Sequence, residues 1–403
     1  MRRRGRTAFR ALAPVAGAGV LLVALAAVAR PAPPPSSAGP APISQPEALP
    51  TAPPAAGATA ATPGPSTPVV TYGTPCPGAA GGAGWRRLDG PGPAARALHV
   101  AVFDPRRGEA LVFGGVGADS AVLDDLWALS LQSERWQEVT PTGDRPGPRW
   151  AAAAIHDATR DRMVLFFGDA APATDEVWAL DLGPRRWRLL GAGPPARYDA
   201  AAATDGGDRV WVYGGFAGPQ FRPDTALGDL WELDLTADAW RPLPAGGVPP
   251  PPTSNVALAF HEGALYLLGG HDATGVTPGF WRYDLARQEW QPLAAGARPA
   301  AWTHHARAVD AACADLLLLG GDDADAVEVP DLEAFRLGAS PALARLPSAA
   351  AAVARHHAAM AFDPVTRRLV LFGGWRGRQV FLGDTWIYRM GSDEETPARP
   401  GAS

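Results

Sequence analysis

The chain has 403 residues, enough for one large domain or two ordinary ones. Its 36 basic residues are all arginine and stand against 41 acidic ones, a net charge of −5 without a basic stripe or acidic tail, which argues against a nucleic-acid binder. Two cysteines, Cys76 and Cys313, are too few for a disulfide-dependent scaffold or a four-cysteine zinc site.

Residues 1–29 open with five arginines followed by about nineteen mostly apolar residues, ALAPVAGAGVLLVALAAVA. This predicts either a cleaved signal peptide or an uncleaved N-terminal anchor. Both place the rest of the chain outside the cytoplasm, secreted, periplasmic or held at the membrane only through that anchor. Residues 30–80 are dominated by Pro, Ala, Gly, Ser and Thr, a composition too poor in large apolar groups to fold. They are expected to be a disordered spacer, as is the polar tail at 391–403. Whether Cys76 bonds to Cys313 is left open by the sequence.

Residues 81–390 hold a repeat. An apolar run ending in glycine recurs as LVFGG, LFFGD, WVYGG, LYLLGG, LLLLGG and LVLFGG, with first glycines at Gly114, Gly168, Gly214, Gly269, Gly320 and Gly373. The period is near fifty. Two Trp residues nine apart follow four of the copies: Trp127/Trp136, Trp178/Trp187, Trp231/Trp240 and Trp281/Trp290. The fifth copy is degraded to Phe335 and Ala344, and the sixth keeps only Trp386. An Ala-rich run opens each copy. Four short strands per copy, a to d, make one blade of a β-propeller. Trp85, in GWRRLDG, lies 29 residues before Gly114, in register with a strand-d Trp that no copy claims. It is expected to close the last blade.

The signature FGG…DDLWALSLQSERW resembles the kelch-repeat family, in a six-bladed, bacterial exported form. The resemblance implies an all-β six-bladed propeller with four antiparallel strands per blade. The glycine pair and the Trp pair then have structural work, the rings packing between neighbouring blades.

In such a disc the d–a and b–c connections share one face, and their irregular loops mark it as the binding face. The residue opening strand a is Arg96, Arg149, Arg197, Thr253, Trp302 and Arg355, and the residue two before the first aromatic of strand c is Asp125, Glu176, Asp229, Gly279, Glu333 and Asp384. These predict a ring of Arg–carboxylate pairs, within or between blades. Where the ring breaks, His304 and His305 sit beside His356 and His357. Because neighbours on a strand point oppositely, at most one of each pair can serve a shared site. The acidic run Asp322, Asp323, Asp325 lacks calcium-loop spacing.

These features predict a non-catalytic, monomeric recognition module for a protein or glycan of the cell envelope, without cofactor or metal ligand. Phe216, Phe221, Trp375 and Arg378 are expected contacts beside the Arg and His positions. The alternative is a sugar-acting enzyme similar to six-bladed sialic-acid mutarotases, with an arginine for the sugar carboxylate. A galactose-oxidase-like copper centre is disfavoured, since Cys313 falls in an a–b turn on the wrong face.

Overall fold

The computed structural model describes residues 69–72 and 83–390, apart from 219–224, 278, 296–302, 324–326, 339, 347–353 and 378–379. Six four-stranded antiparallel sheets follow one another around an axis. Blade 1 comprises Val100–Asp104, Glu109–Phe113, Leu126–Ser130 and Arg135–Val139 as strands a to d. Blade 2 comprises Ala153–Asp157, Arg162–Phe166, Glu176–Asp181 and Arg186–Ala192. Blade 3 comprises Ala201–Thr204, Arg209–Tyr213, Leu230–Asp234 and Ala239–Leu243. Blade 4 comprises Ala257–His261, Ala264–Leu268, Phe280–Asp284 and Glu289–Pro292. Blade 5 comprises Ala306–Asp310, Asp315–Leu319, Leu332–Arg336 and Ala342–Leu346.

Blade 6 takes strands a to c from Ala359–Asp363, Arg368–Phe372 and Thr385–Arg389, and its outer strand from Gly84–Leu88 at the other end of the domain. Trp85 pairs with Tyr388 in the register in which Trp136 pairs with Leu129, so it occupies the strand-d Trp position. The ring is closed by this exchange, and strand a of blade 6 packs on strand a of blade 1.

After its first residue, which is charged in five of the six blades, strand b is apolar and buried on both faces, as a strand between two neighbours requires. In blades 1 to 4 the second Trp packs on the residue ending strand b of the preceding blade: Trp136 on Phe372, Trp187 on Phe113, Trp240 on Phe166 and Trp290 on Tyr213. Strand a lines a central channel of about 550 Å³ in all six blades.

The structure departs from the sequence reading in several places. In blade 2 the first glycine position belongs to Phe167, at φ +58°, because its amide and not that of Gly168 meets the strand-c carboxylate residue, Glu176. In blade 5, Leu319 pairs with Leu332 as Phe113 pairs with Leu126. The ring carboxylate of blade 5 is therefore Asp331, not Glu333, and the two Trp positions hold Glu333 and Leu343, not Phe335 and Ala344. The c–d hairpin is one residue longer there, which shifts the count.

Val69–Tyr72, inside the expected spacer, forms a strand alongside Ala294–Ala295 and Ala342–Leu346 at the outer edge of blade 5. Cys313 is disulfide-bonded; Cys76, the other cysteine of the chain, lies outside the described residues. So does the apolar run of residues 11–29. Among the described residues no helix is long and apolar enough to cross a membrane.

Candidate functional site

The arginine ring resolves first, because it is scaffold. Arg96, Arg149, Arg197 and Arg355 are at most 2% exposed. Each pairs within its own blade: Arg96 with Asp125 at 2.5 and 2.7 Å, Arg149 with Glu176 at 2.8 Å, Arg197 with Asp229 at 2.7 and 2.9 Å, and Arg355 with Asp384 at 2.7 and 3.1 Å. The first Trp of the blade donates its indole N–H to the same carboxylate, at 2.8 Å for Trp127, 2.9 Å for Trp178, 2.6 Å for Trp231 and 2.7 Å for Trp386. Burial pushes the carboxyls of Asp125, Asp229 and Asp384 up, but the arginine hydrogen bonds and charge outweigh it and hold them below the ordinary range. The four arginines are thus enclosed by their own blades and are not ligand contacts, contrary to the sequence reading.

Three positions per blade build the mouth of the channel on the same face. Two residues after the ring arginine position the backbone turns left-handed in every blade, at Leu98, Ala151, Asp199, Asn255, His304 and His357, with φ between 51° and 58°. Their amides and carbonyls link neighbouring blades: Leu98 to His357, Ala151 to Leu98, Asp199 to Ala151, Asn255 to Asp199 and His357 to His304, at 2.8–3.1 Å. Just before them lie Ala97, Trp150, Tyr198, Ser254, Thr303 and His356. Facing these, one residue past each glycine pair, lie Val116, Asp169, Phe216, His271, Asp322 and Trp375.

These rings have two sectors. Over blades 1 to 3 they are largely apolar: Leu98, Trp150, Ala151, Tyr198 and Phe216 form one cluster. Phe216 is only 4% exposed, so it supports this sector from beneath and is not the surface contact expected of it. Over blades 4 to 6 the rings carry polar and ionisable groups. His304 Nδ1 lies 2.7 Å from Asp322 Oδ2. His356 Nε2 lies 3.2 Å from Glu328 Oε1, and Glu328 also accepts from the Gly377 amide. The His304 ring stacks on His357 at 4.0 Å, and the His271 ring lies 5.0 Å from it, tilted by 32°. Trp375 donates to His356 Nδ1 at 2.6 Å and packs edge-on against Phe381. It is half-buried as a wall of this sector, where an exposed contact was expected. Trp302, Phe221 and Arg378 lie outside the described residues.

His304 and His305 divide, although neither lies in a strand: His304, at the left-handed position, joins the mouth and His305 is buried in the channel wall. His356 and His357 do not divide. Left-handed φ at His357 breaks the alternation, and both rings enter the cluster. Asp199, Asn255, His271 and Glu328 were not singled out in the sequence. Counting two past the ring arginine and one past the glycine pair finds the first three.

Asp199 and Arg307 connect the mouth to the channel. Asn255 Nδ2 donates to Asp199 Oδ2 at 3.3 Å. Burial raises the Asp199 carboxyl to about 6, with His304 and Asn255 opposing. Arg307 lines the channel, and among the described residues its guanidinium has no hydrogen-bond or ion-pair partner. Burial works against its charge and Asp199 supports it.

Buried neutral histidines give the fold an acid-side signature. His99 and His305 are pushed down to about 3, chiefly by burial, with Arg96 and Arg307 respectively adding to it. In the unfolded chain both protonate near the ordinary value of about 6.5. Their folded values are depressed, so the stability tied to the neutral form is complete above about pH 6.5 and falls as pH drops toward about 3. Asp199 and Glu328, whose carboxyls are raised, act in the opposite sense. Thermal midpoints followed from pH 7 to about 4 should decline, and replacing both His99 and His305 by Leu should flatten the slope. An unchanged slope in that variant would remove these histidines as its cause.

The kelch-repeat model described as the KLHDC2/KLHL20/DRC7 Kelch-repeats domain matches residues 84–270 and 172–295, more than half of the chain. The chain belongs to the kelch-repeat family. Among curated proteins, this kelch chain is 36% identical over 163 residues to the serine/threonine-protein phosphatase BSL2 of Arabidopsis thaliana, covering 38% of this chain and 15% of that protein. It is 28% identical over 173 residues to Tip elongation aberrant protein 1 of Schizosaccharomyces pombe, covering 41% and 15% respectively. The kelch chain thus spans about a seventh of each relative, and neither name carries an activity over to it.

Proposed function

We propose that this kelch propeller is an exported recognition module that binds a glycan or protein segment of the cell envelope in the mouth on its d–a/b–c face. One observation carries the reading. At three in-register positions per blade the framework sets only backbone geometry, and there the chain places an apolar sector beside a sector of imidazoles, carboxylates and a half-buried Trp. Such a mixed rim suits a ligand with both apolar faces and many hydroxyl or amide groups.

The test is binding of envelope glycans and envelope-fraction proteins to the immobilised domain, comparing wild type with Trp375→Ala and with Asp199→Ala/Asn255→Ala. Trp375→Ala should keep its stability within about 1 kcal/mol, the double variant should lose about 1–2 kcal/mol per left-handed site, and each should lose at least about tenfold in affinity, the cost of removing one central contact. Undiminished binding in both variants would move the site elsewhere.

The sugar-acting alternative has its own support. Asp199, its carboxyl raised to about 6 by burial, interacts electrostatically with Arg307, a channel-lining guanidinium with no hydrogen-bond or ion-pair partner among the described residues. A proton-transferring carboxyl near the operating pH is what ring opening of a sugar needs. Anomer exchange followed by NMR separates the two readings, since a binding module leaves the rate at that of buffer.

A further inference from the structure

The imidazole cluster supports more than ligand contact. One ring nitrogen from each of His304, His356 and His357 lies within 4.8 Å of one from each of the others. Nδ1 of His356 and Nδ1 of His357 are already 2.9 Å apart. Two nitrogens held at about 2.1 Å on a tetrahedral zinc ion stand about 3.4 Å apart.

Carboxylates stand behind two of the rings. Asp322 holds one nitrogen of His304 and Glu328 one nitrogen of His356, at 2.7 and 3.2 Å. A carboxylate that accepts a hydrogen bond from one ring N–H fixes the tautomer in which the other nitrogen keeps its lone pair, the arrangement that supports metal-bound histidine. The cluster is also crowded at one atom. His356 Nδ1 has a single lone pair, yet the Trp375 indole N–H and His357 Nδ1 both approach it, at 2.6 and 2.9 Å. An ion that takes the His356 Nδ1 lone pair requires the Trp375 indole N–H to turn to another acceptor, so the ion and that hydrogen bond compete for one nitrogen.

We propose that His304, His356 and His357 bind one divalent transition-metal ion of the zinc class at the channel mouth. Three imidazoles are a ligand set suited to zinc, copper, nickel or iron, and they leave a further position open for water or a ligand oxygen. The ion would sit in the polar sector, beside Asp322 and Trp375. A second group with ligand-like spacing, Asp104, His156 and Asp161 on the opposite face, does not qualify. Arg107 already bonds both of its carboxylates, at 2.8 and 2.7 Å, and supplies the cation.

The experiment titrates zinc(II) by calorimetry into the full chain after dialysis against a chelator, and follows cobalt(II) by its visible d–d absorption. Variants are His304→Asn, His357→Asn and Asp322→Asn, with His261→Ala as control. Asn is chosen because Asn255 holds the same left-handed position in blade 4, so the ring of backbone links is kept. Wild type should bind one ion per chain. Either His→Asn variant should bind at least about tenfold more weakly, and Asp322→Asn, which removes a positioning residue, about 10–100-fold more weakly. The control should match wild type. No saturable binding, or equal affinity in the His→Asn variants, overturns the site. The titration needs no partner, so its failure leaves the recognition reading intact, and loss of partner binding leaves the metal site intact.

Discussion

Deleting residues 84–88 should unfold the propeller as a whole, and Trp85→Ala alone should cost about 2–4 kcal/mol. The strand Gly84–Leu88 pairs along its full length with Thr385–Arg389, the outer edge of blade 6. Its loss leaves that edge with unpaired amides and carbonyls, a template for aggregation. Trp85 packs on Tyr388 at 5.0 Å and against the cluster that joins blades 5 and 6 through Leu319, Leu332, Leu346 and Leu371. The indole is partly exposed, which puts its cost below that of a fully enclosed Trp. Because strands from both ends of the domain share this blade, the damage should not remain local: every blade leans on the next, and the ring closes only here. Urea unfolding read by tryptophan fluorescence should show a lower midpoint for Trp85→Ala and no cooperative transition for the deletion. A matched deletion within residues 31–66, upstream of the first described strand, should leave the midpoint in place. Equal effects of the two deletions would refute closure by this strand.

The closing strand was legible because its Trp lies 29 residues before the next glycine pair, within the 27–32 that separate the other strand-d Trp residues from theirs. The blade count and the four-strand plan were legible for the same reason. Register failed where side chains that report it had changed. In blade 5, Glu333 and Leu343 stand at the Trp positions and the hairpin gains a residue, so counting from aromatics landed two residues late. In blade 2, Phe167 adopts the left-handed backbone that glycine takes elsewhere, and the glycine alone misled by one. The mouth was less legible still. Its residues are placed by left-handed backbone between two strands, where neither strand alternation nor helical period applies, so His356 and His357 were expected on opposite sides and meet instead. Phe216 and the four arginines were taken for ligand contacts because sequence shows a residue's loop and not its burial.

Arg197→Thr should cost about 3 kcal/mol, and adding Asp229→Gly should give part of that back. Arg197 is fully enclosed and bonds Pro195 O, Gly214 O and both oxygens of Asp229. Removing it strands a carboxylate and a buried carbonyl, and the unpaired partner is the costly part. Blade 4 shows what a compensated loss looks like. Thr253 stands at the arginine position, and its hydroxyl bonds Pro251 O, the carbonyl two residues back that the arginine Nε meets in blades 1, 2 and 3. Gly279 stands at the carboxylate position, and the Trp281 ring occupies the space a Cβ there would need. Arginine and carboxylate have thus gone together, and the indole has folded into the gap. If the pair acts within a blade, the double variant in blade 3 should be more stable than the sum of its single effects by about 1–3 kcal/mol, the range of coupling between residues in direct contact. Denaturant unfolding of the two single variants and the double gives the cycle. Strict additivity would mean that Arg197 and Asp229 each serve another partner, and that blade 4 lost its two charges independently.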